Sequence, residues 1–407
     1  MSAEDRVLVV GAGPVGAVLA LALRQAGIPV VLIEKLAQPE HDCRAASCHP
    51  PTIAMLERLG LLEAGLDQGL VSPAFHYLDR ITGKLVGRFD LEAMREPPAH
   101  AYVLQWEQWK IAETVLARLE NDEGAEILMG RSLEGFTQDD GGVTIQIRCE
   151  QGEQTELRGR YLVGCDGGRS TVRKIAGVDF EGFTWPERFI KIDTRQDFSA
   201  LGAHISNRNY FSAPNDWMNV FKARGEDGEG MWRAVSPAPL DQTDEEVTAP
   251  EAVEARLQRF CPRPEPYDVV TTAIYRVHQR VAATFNLGRV LLAGDAAHVN
   301  NPVGGMGMNG GIHDAVNLAD KLAMIWFDGA DADALLDRYT RQRRKAQIDG
   351  VQAQSIANKQ LLDEQDPAAR AIKLDGIRKA AADPVLHDAF IRRACMIDSF
   401  AAAEATL

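Results

Sequence analysis

Cysteine is scarce and scattered in this sequence, with six residues among 407 and no Cys-X-X-Cys pair. Zinc ribbons and iron–sulfur clusters gather their thiolate ligands at such short spacings, so no metal site is predicted. In a chain of this length, unclustered cysteines are typical of reduced thiols, which predicts a cytoplasmic protein. The six are Cys43, Cys48, Cys149, Cys165, Cys261 and Cys395.

The sequence also lacks long apolar runs, and it has fewer basic than acidic residues. No stretch of about 18 apolar residues is free of charge, so no membrane-spanning helix is expected. The 44 basic residues are outnumbered by 58 acidic ones, which gives a net charge of −14. Such a surface repels nucleic acid and anionic lipid, so neither is a predicted partner. The short basic cluster Arg341–Lys345 lies in a helical pattern and is interpreted as a solvated helix face.

Glycine, in contrast, is arranged in a definite pattern near the start of the chain. The apolar run Arg6–Val10 predicts a buried strand, and Gly11-Ala-Gly-Pro-Val-Gly16 follows it directly. A helical pattern over 15–25 and a second apolar run, Pro29–Ile33, complete a β-α-β unit that ends in Glu34. This context predicts a dinucleotide site.

Each residue of that loop has a physical reason to be there. The first glycine permits a tight turn, the second lets a pyrophosphate approach the backbone, and the third lets the helix pack closely on the strand. The free N–H groups and the helix dipole then attract phosphate, and an acid after the second strand can accept the ribose hydroxyls. The predicted cofactor contacts here are Gly11, Gly13, Pro14, Val15, Gly16, Glu34 and Lys35.

Two later segments distinguish FAD from NAD. Arg289–Asp295 is a strand pattern ending in Gly-Asp, and an aspartate there can bind a ribityl chain, which NAD lacks. The loop 301–309 then leads into a helix whose N-terminus would face the flavin edge where negative charge collects on reduction. The segment 161–173 is a third strand–loop–helix pattern, with Asp166 and Arg169 near the pyrophosphate. The later predicted FAD contacts are Asp166, Asp295, Pro302, Gly305, Gly307, Met308 and Asn309.

With these three segments in this order, the chain resembles the single-component (class A) FAD-dependent aromatic hydroxylases, the group of para-hydroxybenzoate and 3-hydroxyphenylpropionate hydroxylases. The stretch Arg289–Leu322 carries the most specific part of the resemblance, which covers about residues 5 to 350. The resemblance adds two FAD contacts: Arg44, which would touch the cofactor and assist its entry, and Gln105, on the ribityl side.

The resemblance implies an α/β protein with the para-hydroxybenzoate hydroxylase fold. A Rossmann-like FAD-binding domain would take residues 1–70, 101–176 and 276–330. An interleaved substrate domain built on an antiparallel sheet would take residues 71–100 and 177–275. Residues 331–407 would form a helical C-terminal segment. Predicted strands of the substrate domain include Asn209–Ser212, Trp217–Ala223 and Met231–Ser236.

The same resemblance implies a monooxygenase. NADH or NADPH would reduce the flavin as a transient co-substrate, O₂ would add at its C4a atom, and one oxygen would pass to a small aromatic or heteroaromatic compound. No second Gly-X-Gly-X-X-Gly segment exists, which fits a nicotinamide that docks without its own domain. A phenolic ring would react best as its phenolate, so His76, His204 and Tyr210 are candidate catalytic residues. Arg224 and Arg233 are candidate partners of a substrate carboxylate, with an ion-pair role as the alternative.

Other functions remain open at this stage. A flavin-dependent reductase or oxidase could use the same fold, and so could a flavin-binding protein without turnover. A halogenase is disfavoured because the expected Trp-X-Trp pair is absent. The sequence leaves the substrate, the choice between NADH and NADPH, and a homodimer undecided.

Overall fold

The computed structural model describes residues 5–41 and 45–407. The strands are β1 (Val7–Val10), β2 (Val30–Ile33), β3 (Ser47–Cys48), β4 (Leu70–Ser72), β5 (Ala74–Asp79), β6 (Lys84–Asp90), β7 (Val103–Gln105), β8 (Ala125–Leu128), β9 (Arg131–Asp139), β10 (Gly142–Cys149), β11 (Gln154–Gly159), β12 (Tyr161–Gly164), β13 (Phe180–Thr194), β14 (Arg208–Ser212), β15 (Met218–Ala223), β16 (Met231–Ala238), β17 (Val269–Ala282), β18 (Asn286–Leu287), β19 (Val290–Leu292) and β20 (His298–Val299).

Helices connect the strands and make up most of the C-terminal part. They are α1 (Pro14–Gln25), α2 (Pro50–Arg58), α3 (Leu62–Gln68), α4 (Gln108–Leu119), α5 (Thr171–Ile175), α6 (Asp244–Thr248), α7 (Pro250–Phe260), α8 (Gly307–Phe327), α9 (Ala332–Lys345), α10 (Ala353–Leu362), α11 (Pro367–Ala382), α12 (Pro384–Ala394) and α13 (Ile397–Glu404). A π-helical stretch, Ala346–Gln352, joins α9 to α10.

A six-stranded sheet forms the first layer, in the order β18-β19-β12-β1-β2-β8. All neighbouring pairs are parallel except the outer pair of β18 and β19. The strands are apolar because both faces are covered, by helices such as α1 and by the three-stranded sheet of β9–β11, and β1, β2 and β12 are buried along their whole length. The carboxyl ends of β1, β2, β12 and β19 therefore meet at one edge, where such sheets bind their ligands.

An eight-stranded sheet forms the second body, in the order β20-β17-β13-β16-β15-β14-β5-β6. We predicted an antiparallel sheet, and the pairing is antiparallel except between β14 and β5, which run parallel. That pairing is possible because the chain forms strands of the six-stranded sheet between β5 and β14. Such a long connection allows two neighbouring strands to run parallel. The remaining strands form two three-stranded sheets, one of β9, β10 and β11 and the other of β3, β7 and β4.

The two faces of the eight-stranded sheet are covered by different elements. One face packs against α6 and α7, which the sequence analysis did not predict, through Val247, Val253 and Leu257. The other carries the aromatic side chains of β5, β6 and β14 and packs against Ile377 and Ile391 of the C-terminal helices. The predicted α/β fold with a helical C-terminus is confirmed. In the described residues no helix is long and apolar enough to cross a membrane.

Candidate active site

The loop after β1 is shaped by its three glycines in different ways. Gly11 has a φ of +104°, and a Cβ added there would lie 2.4 Å from the carbonyl oxygen of Cys165. A Cβ at Gly16 would lie 1.8 Å from the carbonyl oxygen of Gly11, so only glycine lets α1 come this close. A Cβ at Gly13 would meet nothing within 4 Å. Gly11 and Gly16 are thus required by the protein, whereas Gly13 borders open space.

That space lies at the N-terminus of α1. The helix begins at Pro14 with Gly13 as its N-cap residue, and no side chain caps it. Its first-turn N–H groups have no acceptor within the helix, which makes the position suited to a pyrophosphate. Val15 faces the other way: its Cγ2 atom would lie 2.9 Å from a Cβ at Gly294. Val15 therefore packs the first glycine segment against the late one.

Glu34 follows β2 and closes the same loop. Its Oε2 atom accepts the N–H of Ala12 at 2.8 Å, and Oε1 accepts the N–H of Leu36 at 3.0 Å. A carboxylate oxygen can accept two hydrogen bonds, so each retains capacity for a ribose hydroxyl. Lys35 is exposed. Arg44 lies outside the described residues, so its predicted contact stays a prediction.

The middle segment is held by its own side chains. Asp166 accepts the hydroxyl of Ser170 at 2.5 Å and the N–H groups of Thr171 and Val172, so its carboxylate caps α5. Arg173, which the sequence analysis did not single out, donates to the carbonyl oxygens of Gly168 at 2.9 Å and Ala296 at 2.8 Å. The middle and late segments are thereby joined. A direct contact of Asp166 with the pyrophosphate remains a prediction.

A buried carboxylate, Asp314 of α8, organises the late segment. It accepts the N–H of Gly294 at 3.0 Å, lies 2.6 Å from Nε2 of His298, and accepts Nε of Arg343 at 2.6 Å. Burial raises the pKa of the Asp314 carboxyl, but the charges of His298 and Arg343 outweigh burial and leave it below its ordinary value. The aspartate therefore stays ionised and fixes the Gly-Asp turn that carries Asp295.

The loop before α8 is attached to the segment that carries β3 and α2. The amide nitrogen of Asn309 donates to the carbonyl oxygens of Ser47 and Gly305, both at 2.7 Å. Its Oδ1 atom accepts the N–H of His49 at 2.8 Å and the hydroxyl of Thr52 at 2.6 Å. The Asn309 side chain is thus fully used within the protein. The N–H groups at the start of α8, at Gly307 and Met308, remain the groups that could face a cofactor.

Gln105 provides an unused donor beside this loop. It ends β7 and is buried, and its Oε1 atom accepts the hydroxyl of Ser47 at 2.8 Å. Its Nε2 atom has no partner among the described residues. Because a buried amide N–H without an acceptor is costly, this atom indicates a bound group with acceptor oxygens. A ribityl chain has such oxygens.

The donor set and the open space fit FAD. Residues 4–354 match the family model described as FAD binding domain. Over 383 residues the chain is 37% identical to para-nitrophenol 4-monooxygenase from Pseudomonas sp. (strain WBC-3), and the match covers 94% of this chain and 93% of that protein. The chain belongs to the FAD-dependent aromatic hydroxylases. FAD is the cofactor of this family, and the protein is an enzyme.

Two further members of the hydroxylase family show how far the similarity extends. A 6-hydroxy-3-succinoylpyridine 3-monooxygenase from Pseudomonas putida is 31% identical over 373 residues, which cover 90% of this chain and 91% of that protein. The crystal structure of para-nitrophenol 4-monooxygenase from Pseudomonas putida DLL-E4 has a TM-score of 0.90 and 33% sequence identity. That comparison covers 98% of both chains, so it includes the C-terminal helices.

The hydroxylase carries a group of aromatic side chains on the sheet face that meets the flavin loop. The rings of Tyr77 and Tyr210 stack with their centroids 5.0 Å apart, and Phe75 lies edge-on to Tyr210 at 6.2 Å. Val303 of the flavin loop belongs to the same apolar cluster. Of the three predicted catalytic residues, Tyr210 is the one on this face.

His76 and His204 are close to each other but not to Tyr210. Side chains alternate along a strand, so His76 points to the opposite face from Tyr77. There its Nδ1 atom is 2.7 Å from the carbonyl oxygen of His204. Burial lowers the pKa of the His76 imidazole, and so does the nearby Arg88. The structure therefore does not bring the three candidates together, and their catalytic roles remain predictions.

The two arginines chosen from the sequence lie in different surroundings. Arg233 pairs with the buried Asp193 at 2.8 and 3.1 Å, so it has the ion-pair role that was the alternative. Arg224 is exposed and lines a cleft of about 520 Å³ beside α4. A further buried arginine that the sequence analysis did not single out is Arg208, two residues before Tyr210 on β14. Its signal was an arginine in a short strand that also carries Tyr210 and Phe211. In the part of the chain described, no cluster of side chains is arranged to hold a metal ion.

Proposed function

We propose that this enzyme hydroxylates a small phenolic or hydroxylated heteroaromatic compound. NADH or NADPH would supply two electrons and O₂ the oxygen atom: ring C–H, NAD(P)H, H⁺ and O₂ become ring C–OH, NAD(P)⁺ and water. The observation that carries the proposal is the meeting of the three glycine segments beside the orphaned amide of Gln105, next to an aromatic sheet face. The similar proteins named above act on a nitrophenol and a hydroxypyridine.

When bound, FAD would accept electrons from the nicotinamide and activate O₂. The chain's part is to hold it and keep water away. Gly13 and the N-terminus of α1 would receive the pyrophosphate, Glu34 the ribose, Gln105 and Asp295 the ribityl chain. The first N–H groups of α8 would stabilise negative charge on the flavin ring. Asp314 and Asn309 would not contact FAD themselves but hold the loops that do, through hydrogen bonds to the backbone of Gly294 and Ser47.

The aromatic face of the eight-stranded sheet would hold the ring of the substrate. Burial raises the pKa of the Tyr210 hydroxyl, although Arg208 acts in the opposite direction, so Tyr210 keeps its proton at neutral pH. A protonated tyrosine can donate to a substrate oxygen and can pass a proton along. Among the predicted catalytic residues, Tyr210 is therefore favoured over His76 and His204. A cytoplasmic location and a homodimer remain part of this proposal.

The test is a measurement of turnover with the purified holoenzyme. Aerobic oxidation of NADH and of NADPH would be followed with and without phenols and hydroxypyridines, and the products analysed by mass spectrometry under ¹⁸O₂. We expect one class of compound to accelerate oxidation and to gain one labelled oxygen atom. Label arriving from water instead of O₂ would contradict a monooxygenase.

The alternatives give different results in the same assay. A reductase or oxidase would turn over its substrate without oxygen entering the product. A flavin-binding protein without turnover would hold FAD and show no stimulation by any compound. A Glu34→Ala variant serves as the cofactor control, because its activity should fall in proportion to the FAD that it loses.

A further inference from the structure

Asn219 of β15 is a buried asparagine whose side chain has no hydrogen-bond partner among the described residues. The residue is 2% exposed, and its Oδ1 atom is buried without a donor. Within the part of the chain that the structure describes, its Nδ2 atom donates to no acceptor either. A buried amide left unpaired destabilises a protein, so such a side chain indicates a ligand that completes it.

The amide of Asn219 lies on the aromatic face of the eight-stranded sheet. Its neighbours along the strand, Met218 and Val220, belong to the apolar cluster on the side of α6 and α7, and side chains alternate along a strand. Across the sheet, Asn219 lies opposite Tyr210 on β14 and Val235 on β16, which both belong to the aromatic cluster. The amide therefore borders the surface on which the proposed function places the substrate ring.

A second unpaired group lies on the same strand and the same face. Trp217, two residues before Asn219, is fully buried, and its indole N–H has no acceptor among the described residues. Its ring lies edge-on to Phe189 with the centroids 4.9 Å apart, so apolar packing holds the ring while the N–H stays unpaired. A buried indole N–H usually finds a partner. Together the two side chains offer one unpaired acceptor and unpaired donors within an apolar surface.

Asn209 shows how a structural asparagine is used in the same sheet. It is fully buried on β14, but its Oδ1 atom accepts the N–H of Ser206 at 2.9 Å, and its Nδ2 atom donates to the carbonyl oxygen of Ser206 at 2.6 Å. Asn309 likewise uses both ends of its amide within the protein. Asn219 is as deeply buried as these residues but holds no part of the backbone in place.

We propose that Asn219 selects substrates whose ring contains an adjacent N–H and C=O, as in the lactam form of a hydroxypyridine. The inference rests on the proposed function and narrows it from phenolic and heteroaromatic compounds to the latter. Oδ1 of Asn219 would accept the ring N–H, and Nδ2 would donate to the ring oxygen. A second lone pair of that oxygen would accept the indole N–H of Trp217.

A phenol fits this set of groups less well than a lactam. Its single oxygen would have to serve both ends of the amide, and it could not do so with good geometry at both. A lactam has its donor and its acceptor on neighbouring atoms, as the asparagine amide has. A lactam is also uncharged, which fits an amide whose neighbours directly across the sheet, Tyr210 and Val235, carry no charge.

The experiment measures ligand binding to the wild-type holoenzyme by isothermal titration calorimetry. The lactam probe is 2-pyridone; 1-methyl-2-pyridone lacks its N–H, and phenol lacks both the N–H and the C=O. The pair 6-hydroxynicotinate and 4-hydroxybenzoate repeats the comparison on rings of equal charge. The variants are Asn219→Leu, which removes both ends of the amide, and Asn219→Asp, which leaves acceptors alone. Asn121→Leu, at an exposed position after α4, is the matched control.

We expect the wild type to bind 2-pyridone at least tenfold more tightly than 1-methyl-2-pyridone or phenol. Asn219→Leu should lose this preference and keep its FAD, while Asn121→Leu should keep both. Asn219→Asp should instead favour 2-aminopyridine, whose cation can donate to a carboxylate from both nitrogens. Without ligand, the Tm of Asn219→Leu should equal or exceed that of the wild type, because an unpaired polar group has been removed. Asn209→Leu should lower the Tm.

The inference is overturned if the wild type binds neither lactam probe, or if Asn219→Leu keeps the preference for 2-pyridone. A clear fall in the Tm of ligand-free Asn219→Leu would also overturn it, because the amide would then have a structural role. If phenols stimulate NAD(P)H oxidation while no lactam binds, the proposed function stands and this inference fails. If lactams bind through Asn219 but no aromatic compound is oxidised, the proposed function fails while the lactam site stands.

Discussion

Two different causes restrict the glycine loop to glycine: contacts with the protein itself, and the approach of a bound group. At Gly16 the limit is the protein itself, because a Cβ would overlap the carbonyl oxygen of Gly11 at 1.8 Å. At Gly13 the protein sets no limit, since a Cβ would meet nothing within 4 Å, and the backbone there has a φ of −65° that any residue adopts. A glycine that the fold itself does not require indicates that a bound group approaches the backbone at this position.

The Gly13→Ala variant should therefore fold normally and bind FAD poorly. We expect the free energy of unfolding of the apoprotein to fall by about 1 kcal/mol at most, the ordinary cost of alanine at a helix N-cap. FAD affinity, measured by flavin fluorescence, should fall at least tenfold because the added methyl occupies the pyrophosphate space. Gly16→Ala is the contrast: it should destabilise the apoprotein itself. Equal FAD affinity in Gly13→Ala and wild type would place the pyrophosphate elsewhere.

The residues of the cofactor loop could be predicted from sequence because a local motif sets them. Gly16 and Glu34 contact other residues of one β-α-β unit, where strand, turn and helix follow directly from the order of residues. The arginines could not be sorted in this way. Whether Arg233 or Arg208 is free depends on the register of β13 against β16 and of β14 against β15, which no local pattern fixes.

At the scale of elements, the late segment depends on a contact between helices. Asp314 of α8 joins Gly294 after β19 to Arg343 of α9, and both charged side chains are almost fully buried. The sequence predicted the strand and the helix that contain these residues. It could not predict the pair, because two ionised residues 29 positions apart are brought together only by helix packing.

Asp314→Asn should destabilise the whole protein and loosen FAD binding. The change leaves Arg343 buried without a counter-charge, and breaking a buried ion pair from one side costs about 3–5 kcal/mol. The free energy of unfolding would be measured by urea titration of the apoprotein. Asp320→Asn, on the exposed side of the same helix, is the control and should cost less than about 1 kcal/mol. A similar small loss at both positions would mean that Asp314 does not organise the segment.

At the scale of the whole molecule, buried neutral histidines set the response to acid. Burial lowers the pKa of both His49 and His313 to about 3. Between pH 6.5 and 3 the unfolded chain therefore binds protons at these positions that the folded protein does not. Stability must fall as the pH falls through this range, by about 1.4 kcal/mol per pH unit for each such histidine.

Replacing one of these histidines should make the acid response less steep. In His313→Gln, the slope of unfolding free energy against pH should fall by about 1.4 kcal/mol per pH unit between pH 6 and 4. Urea titrations of apoprotein at several pH values give this slope directly. The readout is the slope and not the absolute stability, because loss of the contact with Thr52 shifts the free energy of unfolding equally at every pH. An unchanged slope would show that His313 titrates normally in the folded state.

The C-terminal helices reach the aromatic face of the eight-stranded sheet, which is the proposed substrate site. Phe390 of α12 stacks on Phe89 with ring centroids 4.0 Å apart and lies 5.8 Å from Tyr77. The sequence predicted these helices but not their contact, since amphipathic helices show only that they pack on something. Among the described residues, the ring contacts of Phe390 are with Phe75, Tyr77 and Phe89 of the eight-stranded sheet, which separates its effect from cofactor binding.

Phe390→Ala should therefore weaken substrate binding while FAD binding stays the same. Removing a half-buried ring from this stack should lower the free energy of unfolding by about 2 kcal/mol. The cavity would let Tyr77 and Tyr210 relax away from the ring of the substrate, so the affinity for aromatic ligand should fall severalfold. Ile372→Ala, at a position 73% exposed on α11, should change neither quantity. If Phe390→Ala released FAD and kept its aromatic ligand, the C-terminal helices would belong to the cofactor site rather than to the substrate site.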